Sequence, residues 1–335
     1  MIREAKKLVA QYHKEMDDTK IMNTNAVMRK FLAYDCKFYG VHPFNDLLGP
    51  DQISEAVYSP LRSAWEPIQR RQDIFIAGEN ELDGSCWVMS MGHYMGLFKN
   101  PWLDIQPTNR MCFLRYSEFY QILDGKISSI AFFCDLIGVM KQAGYDPLPP
   151  QTGASFICPG PKTNDGIILA DVPEVESKKT LDLVNRMVQD LEVLNQSGND
   201  NCPPSYLAKT WHNDMVWFGP EGIGGSYTIN SYQQQHQYPF RQGLTDKTFN
   251  AHVCRFAEGN YACFFGWPNL FNRPKGGFLG LPTSGIQAEM RVVDVFRRSG
   301  EKLAENWVFI DIPGEVDRSV WLLLIFFMAS IGVLY

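Results

Sequence analysis

The strongest constraint on this chain is that it repeats itself. The runs Arg115-Tyr-Ser-Glu-Phe-Tyr and Arg291-Val-Val-Asp-Val-Phe share an Arg, an acid three positions on and an aromatic two positions after that. The match continues without a gap at an offset of 176, setting Lys126 on Lys302, Phe133 on Phe309, Asp135 on Asp311 and Gly138 on Gly314. Earlier, Asp35, Phe38, Tyr39 and Gly40 answer Asp214, Trp217, Phe218 and Gly219 at an offset of 179. Gly92 and Gly266, then Pro107-Thr108 and Pro282-Thr283, keep the same order. Loop insertions produce such drifts in offset, so the chain reads as two copies of one unit. Its 335 residues suit two domains of about 150 each.

Five prolines between Pro147 and Pro161, with Gly153 and Gly160 among them, exclude a helix or a central strand there and mark a linker. The expected organisation is a first copy at 1–147, a linker at 148–177, a second copy at 178–319 and an apolar tail at 320–335. Each copy opens with helices. Leu181, Val184, Val188, Leu191 and Leu194 recur at three- and four-residue spacing. Each copy closes with strands, expected in the second near 248–256, 260–267, 287–297 and 302–310. Helices followed by antiparallel strands define an α+β class.

In the strand around Glu118, residues Leu114, Tyr116, Glu118 and Tyr120 share one face, and Phe113, Arg115, Ser117 and Phe119 the other. Both faces are largely apolar, so both should be covered. One can enclose a pocket against the helices and the other can meet the sister copy's sheet, which predicts an intramolecular pseudo-dimer. Further homo-oligomerisation stays open.

A net charge of −6 and a pI near 5.6 argue against a nucleic-acid partner. The eight cysteines form no CxxC pair and none lies at ligand spacing from a histidine, which argues against zinc and for free thiols in an intracellular protein. The charged, helical start lacks the apolar core of a signal peptide. The expected location is cytoplasmic. The uncharged run from Val320 to Tyr335 keeps a membrane anchor open beside a buried terminal helix, because sixteen residues fall just short of the roughly 17–25 that span a bilayer.

Several stretches resemble the SnoaL-like polyketide cyclases of the nuclear transport factor 2-like superfamily. They are Gly280-Leu-Pro-Thr-Ser-Gly285, Glu305-Asn-Trp-Val-Phe-Ile-Asp311, Gly266-Trp-Pro and Arg291-Val-Val-Asp-Val-Phe in the second copy. Gly92-His-Tyr-Met-Gly96 and the run from Gly125 to Gly144 carry the likeness in the first. The resemblance implies two tandem cones, each a curved antiparallel sheet wrapped on helices around a hydrophobic pocket. It also implies cofactor-independent chemistry on a polyketide- or terpenoid-like small molecule. The family's acid/base Asp falls on Phe132 and Val308 here, and its pocket His on Glu118 and Asp294, so that mechanism does not transfer directly.

Glu118 and Asp294 are the first candidates for a base, since each is an acid in an otherwise apolar strand, where desolvation raises a carboxyl pKa. Pairing with a neighbouring Arg is the structural alternative. Asp135 and Asp311 end strands ahead of helix-like segments and suit helix capping or, after a bulge, catalysis. His93 could shuttle a proton, and Tyr94 or Tyr116 could polarise a carbonyl. Phe38, Trp217, Trp267, Val292 and Phe296 are candidate pocket walls. His236, in its Gln-rich run, is expected on an exposed helix face. Arg115 and Arg291 are expected to form ion pairs between the copies. The alternative to an enzyme is a ligand-binding or scaffold protein of the same fold.

Overall fold

The computed structural model describes residues 1–154, 157–197, 202–280, 283 and 286–315. The apolar tail from Val320, and most of the Gly280–Gly285 turn, lie outside the described residues.

The first copy opens with helices Ile2–Asp18 and Thr24–Phe31. Six strands follow: β1 (Leu32–Gly40), β2 (Asn45–Leu48), β3 (Gln69–Glu79), β4 (Cys86–Leu97), β5 (Met111–Leu123) and β6 (Lys126–Cys134). They form one sheet in the order β2-β1-β6-β5-β4-β3. In the second copy, helix Glu174–Gln196 precedes β7 (Trp211–Phe218) and β8 (Gly225–Tyr227). Then come β9 (Leu244–Phe249), β10 (Cys254–Glu258), β11 (Tyr261–Phe265), β12 (Leu270–Pro274), β13 (Ala288–Met290), β14 (Val292–Ser299) and β15 (Lys302–Ile310). Its main sheet runs β8-β7-β15-β14-β11-β10, the same path strand for strand. Strands β13-β12-β9 make a small extra sheet. The chain is thus α+β with two separate six-stranded sheets, as the repeat predicts.

Two local expectations change. The segment near 248–256 is the end of β9, a loop and the start of β10, because β9 leaves to join the small sheet. The buried stripe of helix Glu174–Gln196 runs through Thr180, Leu183, Val184, Met187 and Leu194, a shift from the expected positions. That helix also begins four residues inside the stretch expected as linker. The rest of the linker lies along both domains. Ala154 bridges to Gly225, and Phe75 donates to the Gly166 carbonyl at 2.9 Å.

The outer faces of the two sheets meet. Phe265 lies 4.8 Å from Phe119, 5.6 Å from Trp87 and 6.1 Å from Phe133, ring centre to ring centre. Burying such a ring contributes roughly 2–3 kcal/mol over leaving it exposed. A side chain on Gly78 would collide with Phe256 and the Ala257 carbonyl, so glycine lets β3 and β10 approach.

The contacts at this interface come in related pairs. Asp135 accepts hydrogen bonds from the Gly138 amide at 3.0 Å and, across the interface, from the Glu221 amide at 2.8 Å. Asp311 accepts from the Gly314 amide at 3.1 Å and, across the interface, from the His42 amide at 3.0 Å. Each acid therefore caps its own helix and also the sister's turn. Burial raises both carboxyls, that of Asp311 to about 6. Arg115 donates to the carbonyls of Gly219 and Phe218 and lies 4.2 Å over the Phe309 ring. Its partners are backbone acceptors, which corrects the expected ion pair. Arg291 pairs with Asp311 of its own copy at 3.5 Å, lies 4.1 Å over Trp267 and reaches the first copy through the Asn45 side-chain oxygen at 3.0 Å, which also corrects the expected ion pair between the copies.

Candidate functional site

The inner faces of the two sheets hold the candidate chemistry, and they differ. In β5, alternation turns Tyr116, Glu118 and Tyr120 inward. Glu118 is fully buried. One of its oxygens accepts from Tyr58 at 2.9 Å and Tyr94 at 3.1 Å, the other from Tyr120 at 2.6 Å and Arg70 at 2.7 Å. The Arg70 guanidinium also lies 4.8 Å over the Tyr94 ring. Because Tyr120 gives its proton to Glu118, the 2.9 Å contact from His13 to Tyr120 has the imidazole as donor. Burial, helped by the charge of Arg70, holds His13 well below the usual histidine range, so it is neutral. Burial and the charge of Glu118 raise the Tyr58 and Tyr120 phenols well above theirs. Tyr116 lies beside the network, with the Arg70 guanidinium 5.5 Å over its ring and its hydroxyl 3.0 Å from Ser90. Phe38 is buried beside Phe132, at 6.5 Å. Every lone-pair direction of this carboxylate that the structure shows in use is committed to a phenol or a guanidinium.

His93 is not part of that network. It pairs in register with Arg115, so its side chain leaves the opposite face of the sheet from Glu118. There it sits 3.5 Å from Asp73 and lines an inter-domain cleft of about 510 Å³ with Arg115, Asp135, Lys141, Cys158 and Glu221. The polar groups of the cleft are largely satisfied by one another, Lys141 by Glu221 at 2.6 Å and Asp135 by the two amides it caps. Asp135 and Asp311 take the capping role described above. Trp267, a candidate pocket wall, instead lies between the domains, donating to Asp46 at 2.9 Å.

The inner face of the second sheet is built of Phe264, Val292, Asp294, Phe296, Val308 and Trp217, which the register brings side by side. Asp294 is only partly buried, and among the described residues it accepts one hydrogen bond, from the Asn306 amide at 3.1 Å. Burial among apolar neighbours pushes its carboxyl up to about 7, and the Asn306 donor offsets only part of that. Asn306 is the register partner of Trp217 on β7.

Two histidines close over this face. His236 belongs to the helical segment from Ile229 to Gly243, whose middle, Gln233–Gln237, is a π-turn. It stacks on Trp217 at 4.2 Å with planes 16° apart, which corrects the exposed position expected for it. His252, in the loop before β10, stacks on Phe264 at 4.0 Å and 15°. Burial lowers both imidazoles to about 3, so both are neutral at physiological pH. Among the described residues, the Nδ1 atom of each is enclosed with no hydrogen-bond partner. Both rings, like Asp294, Tyr232 and Phe240, keep partial exposure, so this cone still reaches solvent.

No family model matches the chain, and no curated protein matches it. Solved structures do. A protein described as a candidate SnoaL-like polyketide cyclase from a Jannaschia species is 16% identical over 43% of this chain and 94% of its own, with a TM-score of 0.32. A nuclear transport factor 2-like protein from Burkholderia thailandensis is 19% identical over 42% of this chain and 98% of its own, at 0.31. A protein with a ketosteroid isomerase-like fold from Catenulispora acidiphila, bound to trimethylamine, is 19% identical over 42% and 93%, also at 0.31. Each spans nearly all of the other chain and somewhat over two fifths of this one. Among the described residues no helix is long and apolar enough to cross a membrane.

Proposed function

We propose that this chain is a cofactor-independent acid/base enzyme of the cyclase, isomerase or dehydratase type, acting on a hydrophobic polyketide- or terpenoid-like molecule in the second cone. The observation that carries this reading is Asp294. It is a partly exposed carboxyl with one amide donor, on an aromatic wall, with a pKa near 7. At neutral pH such a group is present both as base and as acid. Its carboxylate would take a proton next to a substrate carbonyl, and the resulting acid would return it at another carbon. Trp217, Val292 and Phe296 supply the apolar surface around it.

The first cone takes the scaffold role in this proposal, because Glu118 is bonded to three phenols and Arg70. The domains are read as residues 1–147 and 178–319, joined by 148–177 and arranged as an intramolecular pseudo-dimer. The paired Asp135 and Asp311 contacts support that arrangement.

The test is carboxyl-carbon NMR across pH on the full chain and on Asp294→Asn. A resonance titrating near pH 7 that the substitution removes supports the proposal. Titration of Asp294 near the ordinary value of about 4 leaves the second cone as a binding site without a base.

A further inference from the structure

On the inner face of the second sheet, the two stacked imidazoles bracket the acid. Phe264, under His252, is the direct cross-strand partner of Asp294 on β11. Trp217, under His236, lies on the other side, reached through Asn306, which itself bonds Asp294. The order across the cone is thus His252, Asp294, His236. We propose that His236 and His252 are the hydrogen-bonding pair that holds substrate oxygens on either side of Asp294, fitting the site to a flat ligand with oxygen at both edges. The inference rests on the acid/base reading of that site and names its ligand chemistry.

Three observations carry it. First, buried polar atoms are normally satisfied, so a ring nitrogen enclosed without a partner among the described residues, on each of two histidines in one cone, calls for an explanation. Second, each ring is stacked flat on an aromatic, which fixes its plane without using its nitrogens. Third, both rings are neutral, so each offers one N–H and one lone pair. Neutral donors also leave Asp294 near 7, where cations at those positions would drive it down and weaken it as a base.

The chemistry balances without any other reactant. Asp294 carboxylate takes the proton from a carbon beside the substrate carbonyl. The C–H electron pair moves into the new C=C bond as the carbonyl becomes an enolate oxygen. An imidazole N–H donates a hydrogen bond to that oxygen and keeps its proton. On a ligand whose enolate is extended by a further C=C bond, the oxygen pair re-forms the carbonyl, the first C=C pair shifts one bond along, and the far C=C pair takes the proton from the acid form of Asp294 at a second carbon.

The experiment uses 2,6-dihydroxynaphthalene, a planar naphthol with an oxygen at each edge, with the full ¹⁵N-labelled chain. Long-range ¹H–¹⁵N correlation spectra follow the imidazole nitrogens of all six histidines. The expected result is saturable movement of the His236 and His252 nitrogens, with His13 and His93 unmoved. His236→Phe and His252→Phe keep a ring on the stack and remove the nitrogens, so each should weaken binding of this naphthol about tenfold. Still nitrogens at saturating naphthol, unchanged affinity in both variants, or no naphthol binding would each overturn the proposal. Asp294→Asn separates the two readings, because it should bind naphthol with the same dependence on both histidines. Histidine shifts alongside an ordinary Asp294 pKa would keep this inference and remove the acid/base one.

Discussion

The two cones follow one strand order and place an acid at matching positions, Glu118 on β5 and Asp294 on β14, yet they treat it in opposite ways. In the first, long neighbouring side chains reach the carboxylate from β3, β4, β5 and a helix, and exclude solvent. In the second, Phe264, Val292, Phe296 and Val308 surround the acid, one amide reaches it among the described residues, and it keeps partial exposure. An ionised buried acid is stable only when surrounded by donors. A cone can therefore either satisfy its acid with donors, or leave it short of them with its pKa raised.

The largest test of that contrast is Glu118→Gln. It removes the charge opposite buried Arg70, and breaking such a pair costs about 3–5 kcal/mol, read by urea unfolding. A loss below about 1 kcal/mol would mean the first cone is not locked by this network. Asp294→Asn should move the other way. The folded-state pKa of about 7 lies above the ordinary 3.8, so between those values the folded protein holds a proton that the unfolded chain releases. Stability contributed by this group is full below about pH 4, falls as pH rises to about 7 and is level above. The variant escapes that fall, so it should gain about 1–3 kcal/mol over the parent at pH 8 and nothing at pH 4. Asp311 and Glu315, raised to about 6 and about 8, slope in the same direction in both proteins and cancel in the difference.

Smaller effects sharpen the comparison. Asp135→Ala and Asp311→Ala each remove an N-cap and an amide partner across the interface, and should cost about 1–2 kcal/mol each in thermal unfolding. Asp311 also pairs with Arg291, so its loss should be the larger of the two, and a larger loss at Asp135 would show that these contacts do not set the strength of the interface. Tyr58→Phe removes one of four donors to Glu118 and should cost about 1 kcal/mol. If the first cone shared the openness of the second, water would replace that phenol and the cost would vanish.

The repeat, the α+β class and the two-faced strands were legible in the sequence, because each depends on spacing within one copy. The inward turn of Glu118 followed from alternation alone. Its partners did not, since Tyr58, Arg70 and Tyr94 arrive from elements whose register no local pattern encodes. His93 was misplaced for want of one register step, which sends a side chain to the other face. Trp267 looked like a pocket wall because aromatic residues serve cores and interfaces alike. His236 carried a readable signal. Tyr232, His236 and Phe240 recur every fourth residue, an inward stripe that the surrounding glutamines obscured. His252 had none, because its place depends on a loop meeting Phe264.

The reciprocal contacts of Asp135 with Glu221 and Asp311 with His42 carry one more consequence. Each half supplies the finishing bond for the other, so two separately expressed halves should recognise each other as complementary fragments. Covalent fusion also removes a restriction that binds a homodimer, in which every substitution appears in both subunits. Here each half is free to change alone, as the four donors on Glu118 and the single amide described on Asp294 illustrate.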